Sequence, residues 1–177
     1  NFRFQARVLN RTLFQSVKEN RKLCQNELGK SKTVVIDFSS PNVAKKMHVG
    51  HLRATIIGQA LSNLHKACGY NVVGLNHLGD WGTQFGKLAW AVKKWGHELG
   101  DRLWTIEGLL QLYVRFHDEA EKHPHMEVEA SECFLKLEKG DQETKTLWQT
   151  IVDVSLKDYE RLYKILNVKH EKIIGES

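Results

Sequence analysis

The sequence predicts an α/β fold: three parallel strands alternate with helices, and a helical segment is inserted between the second strand and the third. Three observations carry this. Residues 33–38 (TVVIDF) form a short β-branched run, apolar almost throughout, as in a strand buried on both faces of a parallel sheet. After one helical stretch, residues 71–77 (NVVGLNH) repeat the pattern, which predicts a strand-helix-strand unit with a right-handed crossover. Residues 167–174 supply the third strand beyond the longest helical pattern, and residues 101–139 carry helical periodicity alone.

Composition sets the bounds. With 177 residues, 41% of them hydrophobic, the chain can bury a core of its own as one domain. A formal net charge of +5 suits a nucleic-acid partner, but the lysines and arginines are scattered among acids, so a solvated surface explains it equally well. Cys24, Cys68 and Cys133 are odd in number and far apart, which predicts reduced thiols in the cytosol. No apolar run approaches the roughly 20 residues of a membrane span, and no signal-peptide pattern opens the chain. The expectation is a soluble, cytoplasmic protein with no membrane partner.

In chain order, residues 4–28 place Val8, Leu9, Leu13, Phe14, Val17, Leu23 and Leu28 among polar residues, predicting an amphipathic packing helix that stops at Gly29. The first strand follows and is stopped by Ser39, Ser40, Pro41 and Asn42, since proline lacks an N–H and Ser and Asn bond locally. From Leu52, the residues Ile56, Ile57, Ala60, Leu61, Leu64, Ala67 and Cys68 recur at helical spacing, up to Gly69. After the second strand, Gly79 and Gly82 permit a turn. Asp80 is the natural N-cap of a helix carrying Phe85, Leu88, Ala89 and Val92; a ligand contact for Asp80 remains the alternative, and Trp81 reads as packing. Pro124 separates two helices of the inserted segment, and His123 and His125 beside it read as exposed loop residues. Asp141 caps the longest helix, whose aromatic stripe of Trp148, Tyr159 and Tyr163 reads as core. Gly175, Glu176 and Ser177 then stand at the third strand's carboxyl end.

The chemistry is expected where the first strand meets its helix. Helix N-termini with free N–H groups bind phosphate, and open parallel sheets bind ligands at the carboxyl ends of their strands. His48 and His51 lie three apart in that turn and can donate hydrogen bonds to phosphate oxygens, while Gly50 leaves room for a nucleotide at the backbone. Taken alone, such a pair could equally be a surface feature or half of a metal site. No His-Glu-x-x-His helix is present, and neither a G-x-x-x-x-G-K-[ST] loop nor a G-x-G-x-x-G follows any strand.

SSPNVAKKMHVGHLRATIIG, together with NHLGDWGTQFG from Asn76, closely resembles the catalytic domain of class I aminoacyl-tRNA synthetases, specifically the arginyl-tRNA synthetases. His48-Val49-Gly50-His51 matches the class signature His-Ile-Gly-His. The likeness runs from Asn1-Phe2-Arg3, similar to the end of the family's N-terminal domain, to Gly175-Glu176-Ser177. It implies a Rossmann-like sheet forming the first half of that catalytic domain. The expected parts are residues 1–30, a connecting helix; 31–100, the first part of the catalytic domain; 101–140, a helical insertion; and 141–177, the long helix and third strand.

The resemblance further implies arginine-tRNA ligase activity: ATP-dependent formation of arginyl-adenylate and transfer to the 3′ end of tRNA(Arg), with tRNA usually needed for activation. Ser40, Pro41, Asn42 and His51 would bind arginine, and His48, Gly50 and His51 would bind ATP. Lys45 and Lys46 lie just upstream and could neutralise pyrophosphate; Lys45 is the favoured one, joining His48 and His51 as catalytic. Glu176 is a candidate acid for the guanidinium, with a solvated glutamate as the alternative. The expected cofactors are ATP with Mg2+, with no structural metal held by protein ligands. The expected partners are L-arginine, tRNA(Arg) and the remainder of the same polypeptide, without which the chain is expected to be inactive. Two other readings stay open: a non-catalytic synthetase-like module that binds tRNA or protein, and another nucleotidyltransferase with a His-x-Gly-His turn, which would lack the Ser-Pro-Asn and Gly-Asp-Trp-Gly-Thr-Gln context.

Overall fold

The computed structural model describes residues 3, 5–19 and 25–177. Its elements run α1 (Ala6–Lys18), β1 (Thr33–Asp37), α2 (Val49–Ala67), β2 (Asn71–Leu78), α3 (Thr83–Trp95), α4 (Ile106–Ala120), α5 (His125–Glu138), α6 (Gln142–Leu166) and β3 (Lys172–Gly175). The strands form one parallel sheet in the order β1-β2-β3, with Thr33 opposite Asn71 and Leu75 opposite Lys172. The predicted α/β class with a parallel sheet is therefore what the chain adopts. β2, in the middle, buries Val72, Gly74, Asn76 and Leu78 on alternate positions.

β1 departs from the expectation of burial on both faces. It is an edge strand whose residues alternate between exposed and half-buried, and Val35 is 63% exposed. α2 departs too: it buries Thr55, Gly58 and Ser62 and leaves Ile56, Ile57, Leu61 and Leu64 exposed. The reason lies at Gly58, where an added Cβ would stand 2.2 Å from Cγ of Phe38. The helix comes this close only on the face with the smallest side chains, so its apolar stripe turns outward.

α1 is shorter than the helix predicted over 4–28, and residues 25–32 are loop and turn. Phe4, Leu23 and Cys24 lie outside the described residues. α1 buries none of its residues, so the packing role expected of it does not appear among the described contacts. β3 likewise begins later than predicted, at Lys172, because Asn167 ends α6 in the left-handed region (φ 52°) and Val168 turns into the core.

Most of the buried apolar surface belongs to α3–α6. Phe85, Leu88, Leu109, Leu112, Phe116, Met126 and Ile151 pack in one cluster, each of the larger side chains stabilising by about 1.5–3 kcal/mol when fully buried. The inserted helices α4 and α5 therefore share a core with α3 and α6. A smaller cluster of Phe38, Tyr159, Tyr163 and Val168 lies under the sheet's carboxyl end, and α6 contributes to both. Asp141 caps α6 as predicted, accepting from the Thr144 N–H at 2.9 Å. Cys68 and Cys133 are free thiols, and no helix of the described residues is long and apolar enough to cross a membrane.

Candidate active site

The loops after all three strands meet at one end of the sheet, as parallel strands require. They enclose a cavity of about 270 Å³ whose wall includes Asn42, Lys45, Asp80, Trp81, Tyr113 and Glu176. Three residues singled out in the sequence, Asn42, Lys45 and Glu176, thus face one space. The Lys45 ammonium lies 5.6 Å from the centre of the Tyr113 ring, whereas Lys46 is drawn away to Glu107 at 2.7 Å. Ser40, Pro41, His48, Gly50 and His51 are not on that wall. Pro41 has a fully buried side chain, which shapes the loop, and Ser40 Oγ donates to Asp37 at 3.0 Å.

His48 and His51 stand at the N-terminus of α2 with their rings 3.9 Å apart. The Gly50 N–H donates to Nδ1 of His48 at 3.1 Å, and the His48 N–H donates to Nδ1 of His51 at 3.2 Å. With Nδ1 accepting, each neutral ring carries its proton on Nε2. The backbone donors expected to be free for phosphate are in part taken up by the imidazoles, which present Nε2–H groups instead. At Gly50 an added Cβ would meet Cε1 of His48 at 2.8 Å, so the missing side chain lets the His48 ring lie against the first turn of the helix. Burial, then the nearby His48 and Lys45, hold the His51 imidazole below the ordinary histidine range, which keeps it neutral at pH 7.

Between β1 and α2 the chain is strained: Ser39, Ser40 and Ala44 have φ of 80°, 47° and 56°, a region that side chains disfavour. A buried polar group holds each of them. Ser39 Oγ shares a hydrogen bond with the Tyr163 hydroxyl at 2.6 Å, and Thr55 Oγ1 lies 2.9 Å from Ser39 Oγ. The Ser40 N–H donates to Asn76 Oδ1 at 3.0 Å, and Asn76 Nδ2 donates to the Tyr163 hydroxyl at 3.2 Å. The Ala44 N–H donates to Ser155 Oγ at 2.8 Å. Finally, the Tyr159 hydroxyl reaches the carbonyls of both Asn42 and Lys45. Asn76, Ser155, Tyr159 and Tyr163 were missed as organisers of the site. Their signal was present, as an amide inside an apolar strand and as hydroxyls spaced by four on the buried face of a helix.

Asp80 does not cap α3. Gly82 holds that position at φ 113° with no side-chain cap. The Asp80 carboxylate is instead buried and accepts from the N–H groups of Glu176 (2.7 Å) and Ser177 (3.2 Å) and from Ser177 Oγ (2.9 Å). It thereby anchors the segment that carries Glu176. Trp81 packs edge-on against Phe134 and Trp148, and the Trp148 indole N–H donates to the Asp80 carbonyl at 2.8 Å.

Known proteins resemble this chain along nearly all of its length. The arginine–tRNA ligase of Clostridioides difficile is 47% identical over the whole of this chain, and that of Clostridium botulinum (strain Alaska E43) 49% identical over 94% of it. The chain spans 31% and 30% of those two proteins, about a third of their length. The crystal structure of arginyl-tRNA synthetase from Plasmodium falciparum matches 90% of the chain and 26% of its own at 32% identity, with a TM-score of 0.67. The Thermus thermophilus arginyl-tRNA synthetase shares the fold at 23% identity over 99% of this chain and 28% of its own, with a TM-score of 0.70. Residues 12–177, which contain every loop of the site, match the family tRNA synthetases class I (R), catalytic domain, and the chain belongs to that family.

Proposed function

We propose that the protein of which this chain is part is an arginine–tRNA ligase, and that this chain carries one side of its activation site. The arginine carboxylate attacks the α-phosphorus of ATP, giving arginyl-adenylate and pyrophosphate. A terminal hydroxyl of tRNA(Arg) then attacks the carbonyl carbon, giving arginyl-tRNA and releasing AMP. Mg2+ enters on the ATP phosphates, and the reaction belongs to the cytoplasm.

The observation that carries this reading is the pairing of Lys45 and Glu176 on one cavity wall, with Asn42 between strand ends. A cation and an anion there complement a polyanionic nucleotide and a cationic amino acid side chain. Asn42 and Ser40 offer amide and hydroxyl groups to the ammonium and carboxylate of arginine, and Pro41 acts through the loop's shape. His48 and His51 direct Nε2–H donors at phosphate oxygens as charge shifts, beside Gly50, whose N–H fixes the first ring. Adenylate formation needs positioning and charge stabilisation rather than a nucleophilic side chain, and the site has that character.

The test is arginine-dependent ATP–pyrophosphate exchange by the full-length enzyme. His48→Ala or His51→Ala should lower kcat about 100-fold, the scale of a lost charge-stabilising donor. A rise in the KM for ATP at unchanged kcat would show that the histidines act on ground-state binding alone.

A further inference from the structure

We propose that α6 sets the shape of the substrate loop, with Ser155, Tyr159 and Tyr163 as positioning residues for adenylate formation. The three sit four apart on one helical face and are buried. Each meets the loop over 39–45 at a different point: Tyr163 at Ser39, Tyr159 at the carbonyls of Asn42 and Lys45, and Ser155 at the Ala44 N–H. Two of these points are residues in the left-handed region, Ser39 and Ala44. Such a conformation persists only where surrounding contacts over-determine it. Ser155 suits this task because its hydroxyl donates to the Ile151 carbonyl at 2.8 Å within its own helix and so keeps a lone pair for Ala44. Tyr159 joins the amide-bearing Asn42 to the cavity lysine through their carbonyls, so one hydroxyl governs the distance between two groups of the site.

The proposal rests on reading that loop as the arginine- and ATP-binding loop. It is tested in the full-length enzyme with Tyr159→Phe, Tyr163→Phe and Ser155→Ala, which remove hydroxyls and keep the packing shape. Each should lower kcat/KM for arginine in pyrophosphate exchange about tenfold while the melting temperature moves by only a few degrees. Ala44→Gly supplies the readout that a merely structural role would not move. Glycine adopts φ near 56° without strain, so Ala44→Gly added to Ser155→Ala should recover part of the lost activity, although it removes a buried methyl group. Rates within twofold of wild type, activity lost only in proportion to the unfolded fraction seen by circular dichroism, or a double variant worse than Ser155→Ala alone would each overturn the proposal. Asn42→Ala, run alongside, separates the two levels. If it too leaves exchange unchanged, the reading of the loop fails and takes the proposal with it; if it is impaired while the α6 variants are normal, only the role of α6 is lost.

Discussion

A guanidinium holds five donors in one plane and keeps its charge at any physiological pH, so a pocket that prefers arginine to lysine needs a carboxylate within that plane. Glu176 can serve because the buried Asp80 carboxylate and the Leu78 carbonyl both accept from its N–H, fixing where its side chain leaves the backbone. Glu176→Gln preserves shape and removes charge. It should weaken arginine binding by about 1.5–3 kcal/mol, the scale of a charge-assisted hydrogen bond, with ATP binding as the control in calorimetry on the full-length enzyme. His51 sets a pH limit. Its depressed folded pKa means that the unfolded chain takes up this proton first as pH falls. The first turn of α2 therefore loses stability between the ordinary histidine value of about 6.5 and the lower folded value, and loses none above it. Protonation would also put a hydrogen on Nδ1, against the His48 N–H that now donates to it. The acid limb of the exchange rate should accordingly have its midpoint below 6.5, and a midpoint above that value would rule His51 out as its source.

Among the elements, the parts that local chemistry decides were legible. The apolar runs of β1 and β2, the Asp141 cap and the Pro124 break between α4 and α5 each follow from the nature of a few adjacent residues. The outward turn of the α2 apolar stripe was not legible, because it depends on Phe38 lying against Gly58, a contact across 20 residues of chain. Asp80 was misread for a related reason: an aspartate just before a helix satisfies the capping pattern, yet partners nearly a hundred residues later claim its carboxylate. Of the site residues, Asn42, Lys45 and Glu176 could be picked out by motif and by position after a strand. Tyr159 and Tyr163 looked like core because their rings are core, and only their hydroxyls reach the loop. The Gly58 contact makes a prediction at this scale. Gly58→Ala must displace Cβ and Cγ of Phe38, which cannot swing away because its ring also stacks 4.4 Å from His170. The variant should be destabilised by about 1–3 kcal/mol in urea unfolding, as overpacked cores are. An unchanged midpoint would mean that α2 can slide along the sheet.

At the scale of the molecule, one side is well covered and the other is open. The helical cluster of α3–α6 is densely buried, whereas Val35 on β1 and the stripe of Ile56, Ile57, Leu61 and Leu64 on α2 face solvent. The cavity draws its wall from the loops after three strands, and its relatives are about three times as long as this chain. The isolated 177-residue chain should therefore form no arginyl-adenylate, even with ATP, Mg2+ and tRNA(Arg) supplied. Exchange above background by the purified chain would show that these loops suffice. α6, the helix common to both clusters, has a length that is not free to vary. Each residue of a helix advances about 1.5 Å and turns about 100°. One residue inserted between Ser155 and Tyr159 would swing every side chain on one flank by more than a quarter turn relative to the other, and no shift of the helix as a whole could restore both sets of contacts. A loop of equal length could absorb the same insertion unnoticed. The spacing of hydroxyls along this rod is thus part of the site's specification, and changes of length in it are tolerable only in steps that return the same face to the loop.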